Sequence, residues 1–431
     1  MTELRATPKV RRRQNTTLLM LVLIGTINYI DRSTLSIGNT LIRQDLGLSL
    51  TQMGWLLSAF LWAYAISQLP CGLLVDRFGA RRVLGIGLFV WSLAQALCGM
   101  VFNFFQFIIA RVCLGMGESP MFVSNARAVR DWFPLSQRGK PTGIYNCVST
   151  LGPTVAPPLL TALMLNFGWR WMFIIMGIVG IVVSIIWFII YRDPHHTDLI
   201  EEERNYLVAG EENEPESTTD FAEWIGLFRF RVTWGLMLGY FGTIYLMWLF
   251  MTWLPSYLEM ERGMSLQKTG WVAAIPYAFG IIGSIGTGYI VDWASSKGIT
   301  PVEARRYIVS FSLVIMSVFT FLCALTASNV LAVIFICIVM FGVGSATAMA
   351  WAMVSVLAAR SVTGSLGGIM SAFGYVGGAL APTVTGYIAQ FTGSFIPALL
   401  VGSCIGIVSA MIYLFFLPKT ALTEDDIGRK H

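Results

Sequence analysis

Four ionisable side chains stand inside stretches that are otherwise apolar: Asp31 and Arg32 within Thr16–Gly38, and Arg111 and Glu118 within Phe104–Ala126. At mid-bilayer such a charge costs at least about 2.5–3.5 kcal/mol, so it persists where it faces a cavity and has a task. The two residue types suit different tasks. An arginine stays protonated and its planar fork matches a carboxylate in bidentate fashion, which makes Arg32 and Arg111 candidates for holding an anionic substrate. Asp31 and Glu118 can exchange protons, because burial favours the neutral acid and a nearby guanidinium favours the carboxylate. An anion that occupies an arginine deprives the paired acid of its counter-ion, and that acid then takes up a proton more readily. Anion and proton are thereby coupled in one direction. Without such a role, Asp31–Arg32 and Arg111–Glu118 are ion pairs that only fix helix packing, an expensive means to that end.

The elements that must carry these groups are transmembrane helices. Hydrophobic residues make up 55% of the chain and charged ones 12%, against roughly 25% charged in a soluble domain. The apolar residues fall into twelve blocks: 16–38, 53–75, 83–101, 104–128, 141–163, 171–191, 233–257, 270–292, 308–326, 329–353, 363–389 and 397–417. A helix needs about 20 residues to cross about 30 Å of hydrocarbon. An all-α polytopic membrane protein of twelve transmembrane helices is predicted. Met1–Gln14 is basic and the first block is too long for a signal-peptide core, so no cleavable leader is expected. With the N-terminus inside, 23 of the 29 Lys and Arg face the cytoplasm and four (Arg43, Arg170, Arg262, Lys268) face outward. Only Arg32 and Arg111 belong to neither side. This imbalance places both termini in the cytoplasm, and it accounts for the net charge of +5 without nucleic-acid binding. The seven cysteines all lie in spans and show no CxxC or Cys/His cluster, so they are expected to pack as small apolar residues with no disulfide or metal. His195 and His196, in a charged loop, read as solvated.

Helix geometry brings the four charges onto one path. Asp31, Arg32 and Arg111 each lie about seven residues, roughly 10 Å, below the outer end of their span. Glu118 follows Arg111 by about two turns on nearly the same face, some 10 Å deeper.

The segment 192–232 is polar, with Glu201, Glu202, Glu203, Glu211, Glu212 and Glu214 in its middle. It divides the chain into an N-terminal six-helix half (1–191, tail 1–15) and a C-terminal half (233–417, tail 418–431). Gly72–Asp76 closes the second span and Gly288–Asp292 the eighth; basic loops follow (Arg77, Arg81, Arg82; Lys297, Arg305, Arg306). A motif repeated at equivalent positions is what a parallel duplication leaves, and it makes the halves pseudo-symmetric. An Asp near a helix end beside basic residues can latch neighbouring helices on the cytoplasmic side; topogenic charge alone is the plainer account.

GLLVDRFGARR (Gly72–Arg82) resembles the signature loop of the major facilitator superfamily. NYIDRSTLSI (Asn28–Ile37), SAFLWAYAISQLPCG (Ser58–Gly72), RVCLGMGESPMF (Arg111–Phe122) and DWFPLSQRGKPTGIYN (Asp131–Asn146) resemble its anion:cation symporter branch, over the whole chain. Within that branch the likeness is to bacterial sugar-acid carriers of the L-galactonate, galactonate, glucarate and hexuronate type. The resemblance implies the major facilitator fold, with two six-helix halves around one central cavity. It also implies substrate-binding Arg32 and Arg111, proton-coupling Asp31 and Glu118, and a gate at Gly72, Asp76, Arg77, Gly79, Arg82 and Asp292.

Tyr29, Tyr64, Tyr145 and Asn146 in the first half, and Tyr245, Trp248 and Trp351 in the second, offer hydroxyl, amide and indole donors and flat faces of the kind that hold sugars. Each alone is more often a packing or lipid-belt residue. Tyr64 and Trp351 match binding positions in the resembled carriers. Ser149 and Ser371 stand where galactonate-type relatives carry glutamine and asparagine, which leaves the sugar acid open.

The expected function is secondary active import of an organic anion, a hexonate or hexuronate, with protons as coupling ion and no other cofactor. A drug exporter or a carrier of non-sugar carboxylates is the alternative; its fifth-span signature is met only in part by Gly152-Pro153, and two buried arginines repel cations. No G-x-S-x-G, H-E-x-x-H or P-loop supports an enzyme. The expected partners are a small anion, protons and the bilayer, with the chain a monomer. The first outer loop (Asn39–Gln52) is short and has no glycosylation sequon, which fits a bacterial inner membrane.

Overall fold

In hydrocarbon every backbone polar group must be satisfied within the chain, which leaves long apolar runs only the helix or a closed barrel. In the computed structural model, which describes residues 6–194, 197–209, 221–358, 362–418, 420–423 and 426, every regular element among those residues is helical. The first half contains α1 (Pro8–Leu46), α2 (Leu50–Cys98), α3 (Phe104–Glu118), α4 (Met121–Trp132), α5 (Gly139–Asn146), α6 (Val148–Ile190) and the short α7 (Glu201–Leu207). The second holds α8 (Phe221–Gly226), α9 (Arg231–Met260), α10 (Leu266–Val272), α11 (Ala274–Ser296), α12 (Pro301–Leu325), α13 (Asn329–Leu357), α14 (Thr363–Thr392) and α15 (Ile396–Met411).

Two single glycines separate spans that are otherwise continuous. α2 breaks at Gly79 (φ 78°, ψ 161°) and α6 at Gly168 (φ 84°, ψ 163°), a region of backbone space open essentially to glycine alone. Nine stretches among the described residues are long and apolar enough by themselves to cross a membrane. One of them, Gly139–Ile190, holds two passes across Gly168, and the first part of α2 and α14 complete the twelve.

The spans differ from their hydropathy limits in two places. α1 begins at Pro8, well before the apolar block, because nothing in the basic tail interrupts a helix and proline is tolerated in its first turn. The fourth span is interrupted at Ser119–Pro120, where proline lacks the N–H that would continue the ladder. Glu118 therefore ends α3.

Among the described residues, one compact unit takes those up to Thr34 and those from Ala59 through the rest of the first half; the other takes Leu35–Ser58 with the second half. The first unit is tied at its basic end. Thr7 Oγ1 donates to Glu203 Oε1 at 2.5 Å, Gln14 Nε2 to the Trp132 carbonyl at 2.7 Å, and Arg81 Nη2 to the Phe188 carbonyl at 2.6 Å. The Thr7 hydroxyl, with the Ile200 N–H, holds the Glu203 carboxyl below the usual glutamate range.

In the second unit, Ser36 Oγ donates to the Thr252 carbonyl at 2.7 Å and Ser58 Oγ to the Ala379 carbonyl at 2.6 Å. Gly54 and Gly386 let α2 and α14 touch, since a Cβ on either would lie within 2.7 Å of a backbone oxygen of the other helix. Arg262 is structural: its guanidinium donates to the Tyr257 hydroxyl and to the carbonyls of Cys323 and Thr326. All seven cysteines are unpaired, but Cys113, Cys147 and Cys404 are exposed. The other four, Cys71, Cys98, Cys323 and Cys337, are buried as expected of small apolar residues, and these three are not.

Candidate functional site

Glycine decides how closely the helices of the first unit approach. A Cβ on Gly115 would lie 2.4 Å from the Phe60 carbonyl oxygen, and one on Gly117 would lie 2.7 Å from the Trp91 nitrogen. Because neither exists, α3 seats against both spans of α2. Gly152 does the same for α6 and α1, where a Cβ would fall 2.3 Å from Tyr29 Cβ. These contacts enclose the charged residues: Asp31, Arg32, Arg111 and Glu118 are all buried.

Within that enclosure the pairing runs between helices. Arg32 Nε donates to Glu118 Oε2 at 2.7 Å, so the bonded partner of Glu118 is Arg32 of α1 and not Arg111 of its own helix. The reason is the lean of helical side chains toward the N-terminus. α1 and α3 belong to the first and fourth passes and run in opposite directions. Arg32 thus leans toward the Pro8 end of α1 and Glu118 toward the Phe104 end of α3, and because the helices are antiparallel the two side chains lean toward each other. Asp31 has Arg111 and Glu118 as charged neighbours and faces the Trp91 indole; Glu118 faces the Asn28 amide. Gln95 Nε2 donates to Thr34 Oγ1 at 3.1 Å, and Thr34 Oγ1 donates to the Asp31 carbonyl at 2.7 Å.

Aromatic faces line the cations. The Arg32 guanidinium carbon lies 4.8 Å from the ring centroids of both Tyr29 and Tyr64 and 5.3 Å from that of Phe60. Arg111 lies 4.9 Å from the same Phe60 ring. Such placement is worth about 0.5–2 kcal/mol per contact, most where water is excluded. Phe60 bridges the two arginines, and sequence reasoning missed it. The signal was its position four residues before Tyr64, on the same face of α2. Asn28, Trp91 and Gln95 were missed as well, because nothing local marks a polar residue as facing a charge on another helix.

The remaining expected residues divide. Tyr145 is buried, whereas Asn146 and Ser149 are exposed and Ser149 Oγ donates to the Asn146 carbonyl at 2.8 Å. Neither of those two joins the buried cluster. In the second unit, Tyr245 and Trp248 are buried on α9, and Trp248 packs on Gly378 of α14. Trp351 is 47% exposed with its ring edge against Gly367, and Ser371 is half-buried.

At the signature loop, Gly79 supplies the break, and the Asp193 carboxylate fills the space beside it, within 3.4 Å of where a Cβ would sit. Gly72 is half-buried, and Arg77 and Arg82 are exposed. Arg81 is the basic residue anchored to the end of α6. The side chains of Asp76 and Asp292 lie outside the described residues, as do His195 and His196.

Comparison with known proteins agrees with this architecture. The model of the Major Facilitator Superfamily matches residues 21–304. A probable L-galactonate transporter of Escherichia coli (strain K12) is 41% identical over 95% of this chain and 90% of its own length. A D-galactonate transporter of Escherichia coli O6:H1 is 31% identical over 95% and 96%. Among solved structures, a bacterial homologue of the human lysosomal transporter Spinster, inward-facing and unoccupied, superposes with a TM-score of 0.73 at 19% identity, covering 96% of this chain and 95% of that one. A matched family model, a relative of this identity along nearly the whole chain, and a shared twelve-pass fold lead to one assignment: the chain belongs to the Major Facilitator Superfamily, a family of membrane transporters.

Proposed function

We propose that this transporter imports a sugar acid, a hexonate or hexuronate, together with protons, by alternating access in a bacterial inner membrane. One observation carries the reading: the buried Arg32–Glu118 bond, with Asp31 and Arg111 beside it. A substrate carboxylate competes with Glu118 for the Arg32 fork, and Arg111 offers a second cation. Once its cation is drawn away, an enclosed carboxylate takes up a proton instead of standing unpaired. The tyrosines around Arg32 present hydroxyls and ring faces to a polyol chain. The relatives named for galactonate make a hexonate the first substrate to try.

A singly charged sugar acid that moves with two protons carries one positive charge inward. That charge gains about 2.3 kcal/mol per 100 mV of inside-negative potential. In vesicles at equal pH on both sides, a potassium-diffusion potential is expected to drive accumulation of labelled L-galactonate. Uptake indifferent to the potential rules out two protons per anion. Glu118→Gln is expected to lose accumulation on a pH gradient; wild-type accumulation in that variant makes Glu118 a packing residue.

A further inference from the structure

We propose that Phe60 is the positioning residue of the anion site. Its ring holds Arg32 and Arg111 together in every protonation state of Asp31 and Glu118, and it leaves their N–H groups to the substrate carboxylate. The inference deepens the function proposed above and rests on it. The guanidinium carbons of Arg32 and Arg111 lie 5.3 and 4.9 Å from one ring centroid, and Phe60 is itself only 1% exposed. Elsewhere, as with Trp169 under Arg170 or Phe416 under Arg231, one ring meets one cation. The Phe60 ring is placed from its backbone. Its carbonyl oxygen abuts Gly115 of α3, where a Cβ would lie 2.4 Å away, and Gly115 follows Arg111 by one turn on the same face. The contact that seats α3 therefore also brings Arg111 to the ring. Tyr64, one turn on from Phe60, packs beside it with centroids 6.0 Å apart and lies over Arg32.

Two like charges in a low-dielectric enclosure repel, and the repulsion must be offset. Asp31 and Glu118 offset it while ionised, and Arg32 Nε is then committed to Glu118 Oε2. A carboxylate has two drawbacks in this place. It occupies N–H donors that an incoming anion needs, and its charge vanishes when it takes up the proton to be carried. A phenyl ring has neither. Its face attracts a cation through the ring quadrupole, and a guanidinium stacked on it keeps its in-plane fork of N–H groups for an acceptor. Asp31, Glu118 and Cys98 face Arg111, and Glu118 and the phenols of Tyr29 and Tyr64 face Arg32; all of these can gain or lose a proton. Phe60 is shared by both cations and has no proton to exchange. The exchange then balances: the substrate carboxylate replaces Glu118 as acceptor of the Arg32 N–H, a proton from bulk water adds to Glu118, and the attraction of the ring for both guanidiniums is unchanged.

Fluorine on the ring tests this with little change of shape, because it withdraws charge from the face and leaves the backbone seat on Gly115 alone. Phe60 is replaced by mono-, di- and trifluorophenylalanine in the full-length protein, and L-galactonate affinity and the ligand-free melting temperature are measured. The same series at Phe250, a buried ring of α9, gives the baseline for fluorine in a packed core. At position 60 a stepwise loss of affinity is expected, about tenfold at three fluorines, with a stepwise fall in melting temperature relative to the Phe250 series. A ring that only fills space responds alike at both positions. Affinity that stays constant along the Phe60 series overturns the proposal, whatever the melting temperature does. If the unsubstituted protein does not bind L-galactonate, the substrate assignment fails by itself and the ligand-free series decides on Phe60: a stepwise fall supports the proposal and a flat series overturns it.

Discussion

Arg32 and Arg111 share the Phe60 ring but have different surroundings, and their replacements should differ accordingly. Arg32→Ala leaves the Glu118 carboxylate enclosed without its bonded cation, whereas Arg111→Ala leaves Arg32–Glu118 intact and unbalances Asp31. Each is expected to lose about 3 kcal/mol or more of substrate binding. Lysine should rescue poorly at both positions because it lacks the planar fork and stacks less well on aromatic faces. Isothermal titration or thermal shift against L-galactonate measures this. Wild-type affinity in an Arg32→Lys/Arg111→Lys double substitution means that neither residue touches the anion.

At the scale of elements, the site depends on how closely α3 approaches α2. Gly115→Val places a side chain against the Phe60 backbone oxygen, which cannot rotate aside. Overpacking of this kind costs about 1–3 kcal/mol, and the displaced helix would pull Glu118 from Arg32. A lower melting temperature together with lost substrate binding is expected; a variant that keeps both shows that α3 is not seated as described. A second element, the tail of α1, is held through Glu203. Its carboxyl lies below the usual glutamate range because of the Thr7 hydroxyl, so the anchor is fully formed above that range and is lost as pH falls through the lowered value. Protection against hydrogen exchange over α7 and the first turns of α1, taken relative to the intrinsic rate at each pH, should fall under acid and hold under mild alkali. Thr7→Val should remove the acid dependence.

For the whole molecule, the balance of 23 inward against four outward cations sets the orientation expected in a membrane. Both termini and the acidic connection are then cytoplasmic. A single cysteine at exposed Glu202 should resist a membrane-impermeant maleimide in intact cells, and one at Lys268 should react. The reverse pattern inverts the topology. The native cysteines exposed in the fold, Cys113, Cys147 and Cys404, must be replaced first for the labelling to be interpretable.

The sequence by itself determined the number of passes, their helical nature and the presence of two cations and two acids within them. Hydropathy is a local property, and hydrocarbon admits few backbone solutions. The glycine breaks at 79 and 168 were legible as loops between apolar blocks. Only the tertiary structure decided which acid meets which arginine, because that depends on how far one helix is translated and rotated against another. Three glycines, 115, 117 and 152, set those offsets through close approach. The lean of side chains on opposed helices then carried Arg32 to Glu118. For the same reason Phe60 and Asn28 emerged as neighbours of the charges while Asn146 and Ser149 are exposed and outside the buried cluster. The fold also grouped Leu35–Ser58 with the second half, since Ser36 and Ser58 find their acceptors on α9 and α14, residues more than two hundred positions away that no local reading connects.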